Sequence, residues 1–222
     1  MMNLFTLFDP STSMTMSFNW LSMVIFLMLL PYQFWLIPSR SIFLWNLLIN
    51  YMFNEFKMLT SKYSYSNLII MINLMLFIFF NNLLGLFPYI FTASSHMSFS
   101  LSLSMSIWIS IILFFIFNYL NNLLSHLTPL GTPTLLMPFM VIIESISLII
   151  RPFTLAIRLS ANMIAGHLLL SLLGTSSSNL NNQILFNVMI FTQIMLFILE
   201  ISVSMIQAYV FSILSTLYMS EN

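Results

Sequence analysis

The chain has 222 residues, 60% of them hydrophobic and only 5% charged, with zero formal net charge and a mean hydropathy of +1.02. Soluble domains average about a quarter charged residues, so this composition excludes a soluble globular protein and indicates a polytopic membrane protein. No Lys/Arg cluster offers a footprint for nucleic acid, and with no cysteine neither a disulfide framework nor a thiolate metal site is possible.

Residues 1–17 are short and polar enough to lie outside the bilayer, and carry neither basic charge nor an A-x-A-like cleavage site. Residues 18–37 are mostly apolar and close to one crossing in length. Pro31 falls inside this stretch and Pro38 ends it, while Trp20, Tyr32 and Trp35 suit the interfacial belts, so one transmembrane helix is predicted here. Residues 41–60 place Asn46, Asn50, Asn54 and Lys57 at spacings of four and three, with Glu55 beside them. That is an amphipathic helix with a narrow polar stripe, suited to the membrane surface, although its wide apolar arc also fits a span buried against protein. Arg40, Lys57 and Lys62 are the only basic residues outside the central stretch, so this connection is expected on the side of synthesis.

Residues 68–90 form a second predicted span, with Asn73, Asn81, Asn82 and Gly85 as contact points for neighbouring helices and Pro88 closing it. The strict alternation SFSLSLSMS over residues 98–106 taken alone reads as a strand. A lone strand in lipid would leave its backbone unpaired, and the alternation runs into IWISIILFFIFNYL, so a helix over 99–121 is predicted. Its serines can bond back to their own helix. A loop over 122–133 follows, with His126, Pro129, Gly131 and Pro133; neither His126 nor His96 is assigned a role.

Two long runs, 135–173 and 183–219, complete the chain. At 1.5 Å per residue they measure about 58 Å and about 55 Å, roughly twice a hydrocarbon core of about 30 Å. They must therefore tilt steeply, bend or break, with Pro138 and Pro152 permitting bends. Charged residues within them argue against extra lipid-facing crossings, so a steeply tilted helical hairpin laid against another protein is expected. No repeat of 20–50 residues is apparent, and residues 1–222 read as a single integral membrane domain.

The chemistry is concentrated in residues 144–167, which hold Glu144, Arg151, Arg158 and His167. An ionisable group at membrane depth marks an ion pathway or an internal partner by default. Glu144, Arg151 and Arg158 are seven residues apart, which returns a helix to within roughly 20° of the same face. Asn162 lies a turn beyond Arg158, whereas His167 points to nearly the opposite face. The last run carries a matching stripe of Gln193, Glu200 and Gln207, with Glu200 its only charge before the terminus. A glutamate flanked by amides in a membrane helix can adopt either protonation state, histidine titrates near neutrality, and arginine does not lose its proton. The set thus divides into groups able to relay a proton (Glu144, His167, Glu200) and a fixed positive charge able to block or steer it.

RPFTLAIRLSANMIAGHLL, followed by EISVSMIQAYVF, closely resembles subunit a of the F-type ATP synthase in its animal-mitochondrial version. NNLLGLFPYIFT and LTPLGTPTLLMPFMVIIESIS look like other parts of that family, in the same order, over nearly the whole chain. The resemblance implies an all-α membrane protein with five transmembrane helices plus one membrane-surface amphipathic helix, the last two spans lying steeply tilted against a rotating c-ring. It implies a proton-translocating stator subunit of Fo in the mitochondrial inner membrane, with its N-terminus in the intermembrane space and its C-terminus in the matrix. Its partners would be the c-ring, other Fo and peripheral-stalk subunits, the lipid bilayer and protons. The resemblance makes Arg158 the essential arginine facing the ring carboxylates, with Asn162 beside it. His167 and Glu200, with Gln207 nearby, would line the half-channel from the intermembrane space, and Glu144 the one to the matrix. Glu221 sits where relatives can carry an acid on the matrix side, and Arg151 stands where many have a neutral residue. Bacterial-type members look reversed at the His167 and Glu200 positions.

No cofactor is expected: there is no P-loop pattern for a nucleotide, no H-E-x-x-H, and the nineteen methionines are scattered as core filler. The chain is not expected to be an enzyme by itself. Two other classes compete with a stator subunit. A separate transporter would normally show a pseudo-repeat with broken midplane helices, and a non-conducting assembly subunit would not need Arg158 and Glu200 at membrane depth.

Overall fold

Proline, glycine and serine decide where the helices of this chain stop and continue. The structure, a computed structural model, describes residues 4–13, 15–60, 65–128, 133, 136–177 and 182–220. Glu221, offered above as a weaker site residue, and Lys62 lie outside the described residues. Every regular element described is helical.

A 3-10 turn at Leu4–Phe8 precedes a second at Phe18–Leu21, which runs directly into helix α1 (Ser22–Leu29). Leu30 is already extended, with φ −71° and ψ 129°, because the ring of Pro31 disfavours the helical conformation in the residue before it. The apolar helix Phe18–Leu29 is therefore about 18 Å long, short of a hydrocarbon core of about 30 Å. The helix expected over 18–37 thus ends eight residues early by that numbering. Four helices among the described residues are long and apolar enough to cross a membrane: Asn67–Gly85, Met97–Asn118, Met137–Ser177 and Gln183–Met219.

Helix α2 (Arg40–Leu59) carries Lys57 in its last turn, where a cation complements the helix dipole. Of its side chains only Phe56 is fully enclosed, packed with Leu68 and Ile72. Helix α3 (Tyr65–Gly85) ends five residues before the predicted boundary. The Leu86 and Phe87 N–H groups turn back onto the Leu83 and Leu84 carbonyls, and Tyr89 adopts a positive φ of 68° just after Pro88. A Cβ on Gly85 would lie 3.0 Å from Cγ2 of Thr92, so a side chain there would push the threonine methyl of the returning chain aside. A short 3-10 turn, Ala93–Ser95, then leads into helix α4 (Met97–Asn118). The alternating serines do bond back within α4: Ser100, Ser102, Ser104 and Ser106 donate to the carbonyls three residues earlier, at 2.8–3.3 Å.

Helix α5 (Leu120–Leu127) occupies part of the expected loop; Leu120, Leu123, Leu124 and Leu127 give it one apolar face at helical spacing. Helix α6 (Met137–Ser177) is continuous. Pro138 falls in its first turn, where the missing N–H has no intrahelical role, and Pro152 is buried in its interior. Helix α7 (Gln183–Ser220) matches the last predicted run closely.

The bundle forms by α7 packing most extensively on α3, and α6 on α4 and α7. Its centre is Ile78, Leu155, Leu159, Ala208 and Phe211. Two hydroxyl–thioether contacts tie the pairs: Ser215 to Met71 Sδ at 3.2 Å joins α7 to α3, and Ser160 to Met97 Sδ at 3.5 Å joins α6 to α4.

Candidate functional site

Pro152, Leu155, Ala156, Leu159, Ser160 and Met163 form the buried face of α6, spaced three and four residues apart. The intervening positions necessarily face away. Arg158 is exposed, as are Thr154, Ile157, Ala161, Asn162 and Ala165. Among the described residues the Arg158 guanidinium makes no hydrogen bond or ion pair. Asn162, one turn on, shares its face. Arg158 therefore sits mid-helix, on a surface its own chain leaves uncovered and beside small side chains. A cation at the centre of a membrane helix costs about 2.5–3.5 kcal/mol on insertion scales, so this face calls for a partner outside the chain.

The seven-residue stripe does not act as one unit. Arg151 is half-buried, and its guanidinium lies 5.0 Å from the centroid of the Tyr218 ring on α7, a cation–π contact. The sequence left Arg151 without a role; the structure gives it a packing partner. Glu144 is half-buried near the start of α6, about 21 Å along the axis from Arg158. His167 lies about 13 Å from Arg158 in the other direction.

Helices α6 and α7 run antiparallel in a steady register. Gly166 meets Glu200, Leu159 shares a cluster with Ala208, and Arg151 meets Tyr218. This register sets half-buried Gln207, next to Ala208, near the level of Arg158. Glu200 is 7% exposed, and both of its carboxyl oxygens are buried with no hydrogen-bond partner among the described residues. It reaches this seam because Gly166 has no side chain: a Cβ there would stand 2.9 Å from both Cδ and Oε1 of Glu200. Spacing analysis missed Gly166, since the requirement comes from a neighbour 34 positions away and leaves no local signal.

His167, next to Gly166, has its Nε2 buried without a partner among the described residues. Its ring lines a cavity of about 550 Å³ together with Leu7, Phe8, Tyr89, Ser171 and Gln193. The Phe8 ring meets the imidazole edge-on, with centroids 6.5 Å apart and planes at 81°. So the structure brings His167, Glu200 and Gln193 to one end of the α6–α7 seam, holds Arg158 and Asn162 on the outer face, and keeps Glu144 at the far end. A buried polar group without a partner costs about 1–3 kcal/mol, and such groups in native proteins need a reason. A carboxyl and an imidazole in one seam can both take up and release protons, while the guanidinium outside it cannot.

Residues 13–220 match the family described as ATP synthase A chain. The chain is 52% identical over 223 residues to ATP synthase subunit a of Locusta migratoria, covering 100% of this chain and 99% of that protein. It is 53% identical to the same subunit of Apis mellifera ligustica, covering 100% and 97%, and 49% identical to that of Drosophila melanogaster, covering 100% and 99%.

Proposed function

This chain belongs to the ATP synthase A chain family, and from that membership we propose that it is the proton-translocating stator subunit of Fo, coupling proton flow to rotation of a c-ring in the mitochondrial inner membrane. The observation that carries this reading is the position of Arg158: exposed, mid-helix, without a partner among the described residues, on a face next to the seam that encloses Glu200.

In this mechanism a proton arrives from the intermembrane space at His167 and Glu200, with Gln193 and Gln207 along the same seam. It passes to a ring carboxylate, which is neutralised and can turn into lipid. After nearly a full rotation another carboxylate approaches Arg158, gives up its proton to a path past Glu144, and is held as an anion by the guanidinium. Asn162 stands beside that meeting point, and Glu221 would serve on the matrix side. The lengthwise separation of Glu144 and His167 on either side of Arg158 supports two offset half-channels. The fixed charge between them prevents a proton from running straight through. Each charge crossing yields about 2.3 kcal/mol per 100 mV, plus any pH gradient, and rotation delivers it to nucleotide-binding subunits elsewhere.

The same reading tilts the α6–α7 hairpin steeply along the ring and lays α2 on the membrane surface. It sets the N-terminus in the intermembrane space and the C-terminus in the matrix, in keeping with Arg40 and Lys57 on α2. That orientation needs an odd number of crossings, so Phe18–Leu29 and the extended stretch after it complete the first of five. Other Fo and peripheral-stalk subunits would cover the remaining apolar surface.

The test is Arg158→Ala in the intact complex. Assembly should persist while proton-driven ATP synthesis is abolished; full synthesis with alanine at this position would reject the role.

A further inference from the structure

The N-terminal segment is built into the wall of the His167 cavity. The 3-10 turn Leu4–Phe8 contributes Leu7 and Phe8 to the lining, and Phe8 meets the imidazole edge-on at 6.5 Å. No hydrogen bond to the imidazole is found among the described residues, and its Nε2 is buried. Among the described residues, Phe8 supplies the aromatic contact that this imidazole makes.

Phe8 is itself held in place by a chain of contacts. Ser11 donates to the Asp9 carboxylate through its N–H at 3.0 Å and its hydroxyl at 2.8 Å. Asn19 Nδ2 donates to the Asp9 carbonyl at 3.2 Å, and the Thr12 and Ser13 N–H groups donate to the Met16 carbonyl at 3.1 and 3.2 Å. Trp20 then packs on Phe91 and His96, with centroids 5.6 and 5.2 Å apart. The Ala93–Ser95 turn between these residues packs on α6, the helix that carries His167. The segment thus forms a closed strap from α6 through Trp20 and Asn19 to Phe8 and back to α6.

We propose that this strap makes Phe8 a positioning residue for proton uptake, holding in one orientation the His167 imidazole, whose Nε2 is buried and whose side chain lines the cavity. The inference rests on the reading of His167 as a proton carrier. An imidazole relays a proton by receiving it on one nitrogen and releasing it from the other, so its orientation decides whether the relay is continuous. The titratable groups around it are Glu200, seated from α7 against neighbouring Gly166, Tyr89 in the cavity wall, and Asp9 beside Phe8 on the strap. Were Phe8 merely an apolar wall, any side chain of similar volume would replace it.

The experiment uses the intact ATP synthase reconstituted in liposomes, with proton-driven synthesis followed against pH on the access side. Phe8→Leu keeps the wall and removes the ring; it should slow synthesis about threefold to tenfold, the range such an aromatic contact is worth, and displace the access-side pH profile. Phe8→Trp should restore both. A wild-type rate and profile in Phe8→Leu would overturn the proposal. If Phe8→Leu does not assemble, Asn19→Ala decides, because it loosens the strap and leaves every cavity residue in place: a displaced profile supports positioning, and an unchanged one rejects it. His167→Ala in the same assay separates the two levels. Full synthesis there removes the premise, whereas slow synthesis there with an unaffected Phe8→Leu removes only the strap's role.

Discussion

The outer face of α6 and the seam between α6 and α7 lie about a quarter-turn apart, yet they treat ionisable groups in opposite ways. Outside, Arg158 and Asn162 stand exposed beside Ala161 and Ala165. Inside, Glu200 is enclosed against Gly166, with no hydrogen-bond partner for its carboxyl oxygens among the described residues. A permanent cation cannot escape its burial cost by losing a proton, so it remains on a surface where an anion from another molecule can reach it. A carboxyl can become neutral, which lets the chain enclose it. For Arg158 and Glu200, the difference follows from which of the two can titrate.

The sharpest way to break this contrast is to alter the guanidinium while keeping its charge. Arg158→Lys replaces a planar, weakly hydrated fork with a point charge that can shed its proton when desolvated. We expect proton-driven synthesis to fall by on the order of 10²-fold; near-normal synthesis would show that charge alone suffices. On the inner side, Glu200→Gln should slow proton uptake by at least about tenfold without opening a leak, since a lost relay group obstructs one path and joins no other. Proton leakage in passively energised vesicles would contradict this. Gly166→Ala tests the seat instead of the acid. The new methyl must displace the carboxyl found 2.9 Å away, so synthesis should fall severalfold, and pairing it with Glu200→Asp should recover part of the loss by shortening the chain. No recovery in the double variant would mean that the contact does not govern Glu200.

Smaller effects lie away from both faces. Arg151→Met removes the contact with Tyr218 and should lower the stability of the bundle by about 0.5–1 kcal/mol, read as thermal unfolding in detergent, while synthesis continues. A synthesis defect as large as that of Arg158→Lys would put Arg151 in the proton path. At the strap, Ser11 holds the exposed Asp9 carboxylate below its ordinary value of 3.8. A carboxyl lowered in this way contributes fully above that ordinary value and loses its contribution as pH falls through the lowered one. Amide protection over residues 9–19, corrected for intrinsic rates, should therefore be flat from pH 8 to pH 5 (about the working range) and drop only in stronger acid. A drop near neutrality would place another titrating group on the strap.

Much of this was legible in the sequence because it depends on neighbours within a turn or two. The alternating serines fit a helix because their hydroxyls find carbonyls three residues back, and the ends of α7 follow from a long apolar run bounded by polar residues. The common face of Arg158 and Asn162 follows from helical spacing alone. Pro31 was visible too, but its effect was underestimated: it ended the first helix at Leu29 rather than sitting within it. Apolar content by itself does not determine whether a proline is bridged or obeyed. The remaining features depend on residues distant in sequence. Gly166 matters because Glu200 presses on it, Arg151 because Tyr218 arrives beneath it, and Phe8 because the chain folds back over His167. Nothing in the local pattern around those positions records the contact.

A bare guanidinium partway along a hydrophobic helix also sets a condition on biogenesis. Until a neighbour supplies an anion, the newly synthesised polypeptide carries the insertion cost of this charge, about 2.5–3.5 kcal/mol, without compensation. On the proposed reading, in which an acid of another subunit meets this charge, insertion and assembly are coupled for this chain.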